Sequence, residues 1–87
     1  MSVTVELTYD MGKAIGVRSL TLDDAATVAD VMRLTKQRCQ EAGADYDHLT
    51  RVAAVAVNGV LMSYRKGRRT KLADGDTVAF VKAAAGG

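Results

Sequence analysis

Only one stretch of this chain of 87 residues, roughly residues 28 to 42, repeats its apolar side chains at helical spacing. The other apolar segments are short and read as strands. A chain with one amphipathic helix and several strands has few ways to hide both, and the helix must lie across one face of a sheet. The start of that helix is written in the sequence. Thr27 and Asp30 stand at the two positions of a capping box, in which the first side chain and the third helical residue satisfy each other's backbone amides. At about 100° per residue, Val31, Met32, Thr35, Cys39 and Ala42 fall within about 60° of Val28, and Arg33, Gln37 and Gln40 fall on the far side. Gly43 is the expected stop.

The strands frame the helix. Val3, Val5, Leu7 and Tyr9 alternate with Thr4, Glu6 and Thr8, the period of a half-buried strand. Asp10-Met11-Gly12-Lys13 reads as a turn and residues 15 to 22 as the second arm of a hairpin. The apolar parity shifts between Ile15/Val17 and Leu20/Leu22, which predicts a bulge there. Residues 45 to 50 read as a polar loop, and residues 52 to 57 as a strand buried on both faces. Asn58-Gly59 predicts a tight hairpin turn, with residues 60 to 64 as its return arm. A basic loop, a tight turn over Leu72 to Asp76 and a last strand over residues 77 to 81 follow. The expected class is α+β, a mixed sheet of four to five strands with one main helix packed on one face. Residues 1–82 form the domain, and residues 83–87 a flexible tail.

Composition removes several function classes. One cysteine, Cys39, excludes an internal disulfide framework, and with a single histidine, His48, it cannot build a Cys/His zinc site. No metal site is expected. No nucleophile elbow, phosphate-binding lysine loop or dinucleotide fingerprint is present. These absences predict a protein without catalytic residues of its own. No apolar run reaches the length of a membrane span and no leader pattern opens the chain, so a cytoplasmic setting and no membrane partner are expected.

The informative stretch is Ala83-Ala84-Ala85-Gly86-Gly87. Glycine has no Cβ, so a Gly-Gly segment can thread a narrow channel and turn freely inside another protein's active site. It also leaves its carboxyl group unhindered. A carboxylate is a poor electrophile, but adenylation makes it a reactive mixed anhydride. A sulfur nucleophile could then displace AMP and leave a thiocarboxylate, and an amine could instead give an isopeptide.

Together with this tail, Thr27 to Asp30, Val55-Ala56-Val57-Asn58-Gly59 and the run from Leu72 to Phe80 resemble the MoaD/ThiS family of ubiquitin-like sulfur carriers, in the same order along nearly the whole chain. The resemblance implies a β-grasp fold and sulfur carried on Gly87. It implies that Ala83, Ala84, Ala85 and Gly86 are held by the partner. It further implies a ubiquitin-activating-type adenylating enzyme that uses ATP and magnesium, a sulfur donor, and an acceptor enzyme. The carrier itself binds no cofactor. Length and Val78-Ala79-Phe80 are nearest to the small subunit of molybdopterin synthase, which makes that enzyme's large subunit the expected acceptor. Where such a subunit often carries a second aromatic and two prolines, this chain has Val81-Lys82-Ala83-Ala84. Carriers for thiamine or another sulfur-containing product, a protein modifier and a plain interaction module remain the alternatives.

Three further features bear on partners. Residues 1 to 50 carry five Lys/Arg against eight Asp/Glu, and residues 51 to 87 carry seven against two. The excess is concentrated in Arg65, Lys66, Arg68, Arg69 and Lys71. With four aromatics in the chain, this run lacks the stacking groups of a nucleic-acid platform. A solvated loop, or a surface for an acidic partner through Arg65, Arg68 and Arg69, fits better. Phe80 is a candidate for the same partner surface. Cys39, central in the helix's apolar stripe, reads as core rather than as a sulfur acceptor.

Overall fold

The computed structural model describes residues 1 to 83. Five strands form one mixed sheet in the order β2-β1-β5-β3-β4. They are β1 (Val3–Glu6), β2 (Ser19–Leu22), β3 (Ala53–Val57), β4 (Val60–Leu61) and β5 (Thr77–Lys82). β1 and β5 run parallel at the centre, and the other neighbouring pairs are antiparallel. The main helix, α2 (Val28–Glu41), buries Val28, Val31, Thr35 and Cys39. Val28, Val31 and Cys39 join Val3, Val5, Val55, Val57, Val78 and Phe80 in one core. Alternation on β1 shows this: Val3 and Val5 are fully buried while Thr4 and Glu6 are exposed. This is the expected β-grasp architecture.

The predicted capping box forms. Asp30 N–H donates to Thr27 Oγ1 at 3.2 Å, and Asp30 Oδ2 accepts from the amides of Ala26 at 2.9 Å and Thr27 at 3.1 Å. Thr27→Ala is expected to cost about 1 kcal/mol, read as a lower denaturation midpoint. Asp30 is held below the ordinary aspartate range, first by the Ala26 amide. Asp76 is held low first by the Ala73 amide and then by the Asn58 side chain. For a carboxylate with a depressed folded pKa, the stabilisation is present above the ordinary aspartate value and is lost as pH falls through the folded value. The loss of stability with acid should therefore begin at the ordinary aspartate value and run down to the lowered folded values. Asp30→Asn and Asp76→Asn should each flatten the loss of stability with acid, measured by denaturation midpoints across that range.

The opening hairpin is corrected. β1 and β2 do pair antiparallel, but α1 (Tyr9–Ile15) stands where the turn was expected. Thr8 caps it by accepting the Met11 amide at 3.2 Å, and Met11 is fully buried with Ile15 packed one turn later. The parity shift read as a bulge is this change from helix to strand. Tyr9, expected on the buried face, is exposed. Gly12 is needed there: a Cβ would lie 2.7 Å from the Val17 carbonyl oxygen. Gly12→Ala should destabilise by about 1 kcal/mol or more, because backbone rather than a flexible side chain must yield; chemical denaturation reads it directly.

Three other expectations change. The polar loop contains α3 (Tyr46–Leu49), capped by Asp45 through the His48 amide at 3.2 Å. The return arm ends after β4 and becomes a 3₁₀ turn over Met62–Tyr64. Ala42, placed on the inward stripe, is exposed at the helix end, and Val52 is exposed before β3 begins. The Asn58-Gly59 turn forms as predicted, with φ of 48° and 84°.

Candidate functional site

The site is built around the strand that leads into the tail. β5 lies between β1 and β3 and is bonded on both sides. The ladder extends one residue past the strand, where the Ala83 amide donates to the Val52 carbonyl at 2.7 Å. The strand is therefore held to the sheet as far as Ala83. Ala83 is exposed, and Ala84, Ala85, Gly86 and Gly87 lie outside the described residues.

The two faces of β5 have different work. Val78 and Phe80 point into the core under α2. Phe80 is 3% exposed and meets the Tyr46 ring edge-on, with centroids 6.2 Å apart. It is a packing residue, which corrects its assignment to a partner surface: in a strand its parity matches Val78, not the open face. The residue with the opposite parity is Val81, 39% exposed. It stands across from Ala54, while Ala79 stands across from Ala56, and Leu61 of β4 flanks Ala56. This helix-free face is apolar and flat on the β4-β3-β5 side. It becomes polar toward β1 and β2 through Thr4, Glu6, Ser19 and Thr21. Counting alternation outward from Phe80 was the signal that could have found Val81.

The basic run is ordered, not a loose loop. Gly67–Arg69 form a 3₁₀ turn, and Thr70, 3% exposed, ties it down. Thr70 Oγ1 accepts the Lys66 amide at 3.1 Å and donates to the Gly67 carbonyl at 2.7 Å. The turn divides the cations. Arg65, Lys66, Arg69 and Lys71 surround a hollow of about 400 Å³, whereas Arg68 faces a separate groove beside α2. Among the described residues the ion pairs are Arg33–Asp30 at 3.6 Å and Lys36–Asp47 at 3.5 Å, so no cation of this turn is paired there.

Cys39 is fully buried, and burial pushes its thiol up, away from the reactive thiolate. Tyr46 is pushed up to about 12, chiefly by burial. Neither is suited to sulfur or proton transfer at neutral pH. Among the described residues no group of His, Cys, Asp and Glu could hold a metal ion, and no helix is long and apolar enough to cross a membrane.

The sequence model of the ThiS family matches residues 12–87. Among curated proteins none matches. The fold is shared with small archaeal modifier protein 1 from Methanosarcina acetivorans, at a TM-score of 0.79 and 20% identity over 99% of this chain and 96% of that one. A chain of the BexX/CysO complex from Amycolatopsis orientalis is 27% identical, with a TM-score of 0.71, over 98% of this chain and 99% of that one. CysO from Mycobacterium tuberculosis has a TM-score of 0.75 and 21% identity over 94% of this chain and 99% of that one.

Proposed function

Because the chain belongs to the ThiS family of β-grasp sulfur carriers, we propose that its working group is the carboxyl of Gly87, used as a substrate by other enzymes. The observation that carries this reading is the family match, which runs through Gly86 and Gly87 from a β5 strand anchored on both sides. The carrier supplies no catalytic side chain. An adenylating partner with ATP and magnesium joins the Gly87 carboxylate to the α-phosphate and releases pyrophosphate. Sulfur from a persulfide donor then attacks the acyl carbon and AMP leaves. A thiol then cleaves the S–S bond of the resulting acyl disulfide, itself ending in a disulfide with the donor sulfur, and Gly87 ends in a thiocarboxylate. The acceptor enzyme takes that sulfur and returns the carboxylate.

The flat apolar face of Ala54, Leu61, Ala79 and Val81, with Ala56 buried among them, is the proposed docking surface for these enzymes. It adjoins the strand that delivers the tail, and a partner seated there would bury it while receiving residues 84 to 87. The BexX/CysO complex is a precedent for a protein of this fold held by a partner. The proposed acceptor is the large subunit of molybdopterin synthase, on the strength of Val78-Ala79-Phe80 and chain length. The test incubates the protein with a cognate adenylating enzyme, ATP and a persulfide donor, followed by intact-mass measurement. A gain equal to the oxygen-to-sulfur difference supports the carrier reading. Adducts of the protein with lysine-bearing targets, without that gain, would assign it as a modifier. Failure of the loaded protein to support molybdopterin formation would remove the proposed acceptor and leave the carrier.

A further inference from the structure

One edge of β3 is left uncovered. The Ala83 amide bonds to the Val52 carbonyl at one end of the β3–β5 ladder, and the Asn58 amide bonds to the Thr77 carbonyl at the other. With Ala54 opposite Val81 and Ala56 opposite Ala79, the backbone groups of the even-numbered residues point toward β5. Those of Ala53, Val55 and Val57 point the other way. On that side β4 meets only Ala56 and Val57 before the chain turns off at Met62. The Met62 carbonyl is spent on the Arg65 amide at 3.0 Å, and the Ala53 amide is taken by the Thr50 carbonyl at 3.0 Å. The Ala53 carbonyl and the Val55 amide remain on an edge that no described strand pairs.

This edge lines a groove of about 700 Å³ beside α2. Met62 and Phe80 give it apolar surface, and Asp30, Arg33, Lys36, Asp47 and Arg68 line it with charge beside Tyr46. Tyr46 is 8% exposed, yet its hydroxyl has no hydrogen-bond partner. Arg33 and Lys36 are already paired with Asp30 and Asp47, whereas Arg68 has no carboxylate beside it among the described residues. Of the basic turn only Arg68 reaches this groove, and it makes that end positive.

We propose that this groove receives an extended segment of a partner protein, added as a strand along Ala53–Val55, apolar where it crosses Met62 and Phe80 and acidic where it meets Arg68. Strand addition takes its affinity from main-chain hydrogen bonds and its selectivity from the flanking pockets. A free strand edge, a narrow apolar strip and one charged end are what that mode uses. A nucleic acid would need exposed rings to stack on, and the two aromatics here are buried. The groove lies at the helix side of the sheet, on the opposite face from Val81, so it does not depend on the chemistry of the tail.

The test titrates isotope-labelled full-length protein with a synthetic peptide of three aspartates followed by alternating valine and threonine. The expected result is binding with a dissociation constant below about 1 mM, with the largest shifts at the Ala54 and Val55 amides and slower exchange of the Val55 amide. N-methylation of the peptide's central valines should weaken binding about tenfold or more by removing main-chain donors. Arg68→Glu, at an exposed position, should weaken it several-fold, most at low salt. Absence of binding at about 1 mM, or equal affinity of the N-methylated peptide, overturns the proposal. So do shifts confined to residues 65–71 that a short deoxythymidine strand reproduces.

Discussion

Deletion of Gly87 is expected to abolish sulfur loading while leaving the free energy of unfolding unchanged within about 0.5 kcal/mol. The reason lies in where the fold is complete. Among the described residues β5 ends at Lys82, its last ladder bond is made by Ala83, and the core cluster contains nothing beyond Phe80. The framework described, through the Ala83 bond, is complete without Gly87. The deletion does move the reacting carboxyl back by one residue, about 3.5 Å of extended chain. Adenylation needs the carboxylate in line with the α-phosphate, and a displacement of even about 1 Å can cost a hundredfold in rate. Intact mass after incubation with the adenylating enzyme, ATP and a persulfide donor checks the first half, and urea denaturation checks the second. Normal loading of the shortened protein would remove Gly87 from the mechanism.

The second large effect separates the two faces of β5. Phe80→Ala should destabilise by about 3–5 kcal/mol, since the ring is 3% exposed and packed edge-on against Tyr46. A domain of this size has little stability to spare, so partial unfolding at room temperature is the expected readout by circular dichroism. Val81→Asp should leave the fold nearly intact, because Val81 is 39% exposed on the helix-free face. It should weaken association with the adenylating enzyme by about tenfold or more, because the charge would be desolvated at an apolar interface. Reversal of the two results, with Phe80→Ala stable and Val81→Asp binding normally, would move the docking surface off this face.

The readings that succeeded in the sequence share a physical property: they are local. The Thr27–Asp30 cap is closed by neighbours three residues apart. The stripe of Val28, Val31, Thr35 and Cys39 follows from helical geometry alone, and Asn58-Gly59 needs only its own dihedral angles. The readings that failed involve short elements. α1 has seven residues and α3 has four, too few for a periodic pattern to outweigh Gly12 or the polar run from Asp45 to His48. Each is held by one cap and one buried anchor, Thr8 with Met11 and Asp45 with Tyr46. An isolated helix of that length is not stable in water, so its existence is a tertiary fact.

By itself, then, the sequence determined the class of fold, the main helix and its buried face, the central hairpin turn and the tail whose chemistry suits a carrier. Those features are set by spacing, by glycine's missing Cβ and by hydrogen bonds that close within a few residues. Only the tertiary structure decided that β5 lies between β1 and β3, that Phe80 faces inward and Val81 outward, and that Arg68 parts company with Arg65 and Arg69. Only it left the edge of Ala53–Val55 uncovered. These outcomes depend on which distant strand supplies each backbone partner. A strand's alternation names two faces without saying which one the helix will cover, and that choice is made by packing across the whole core.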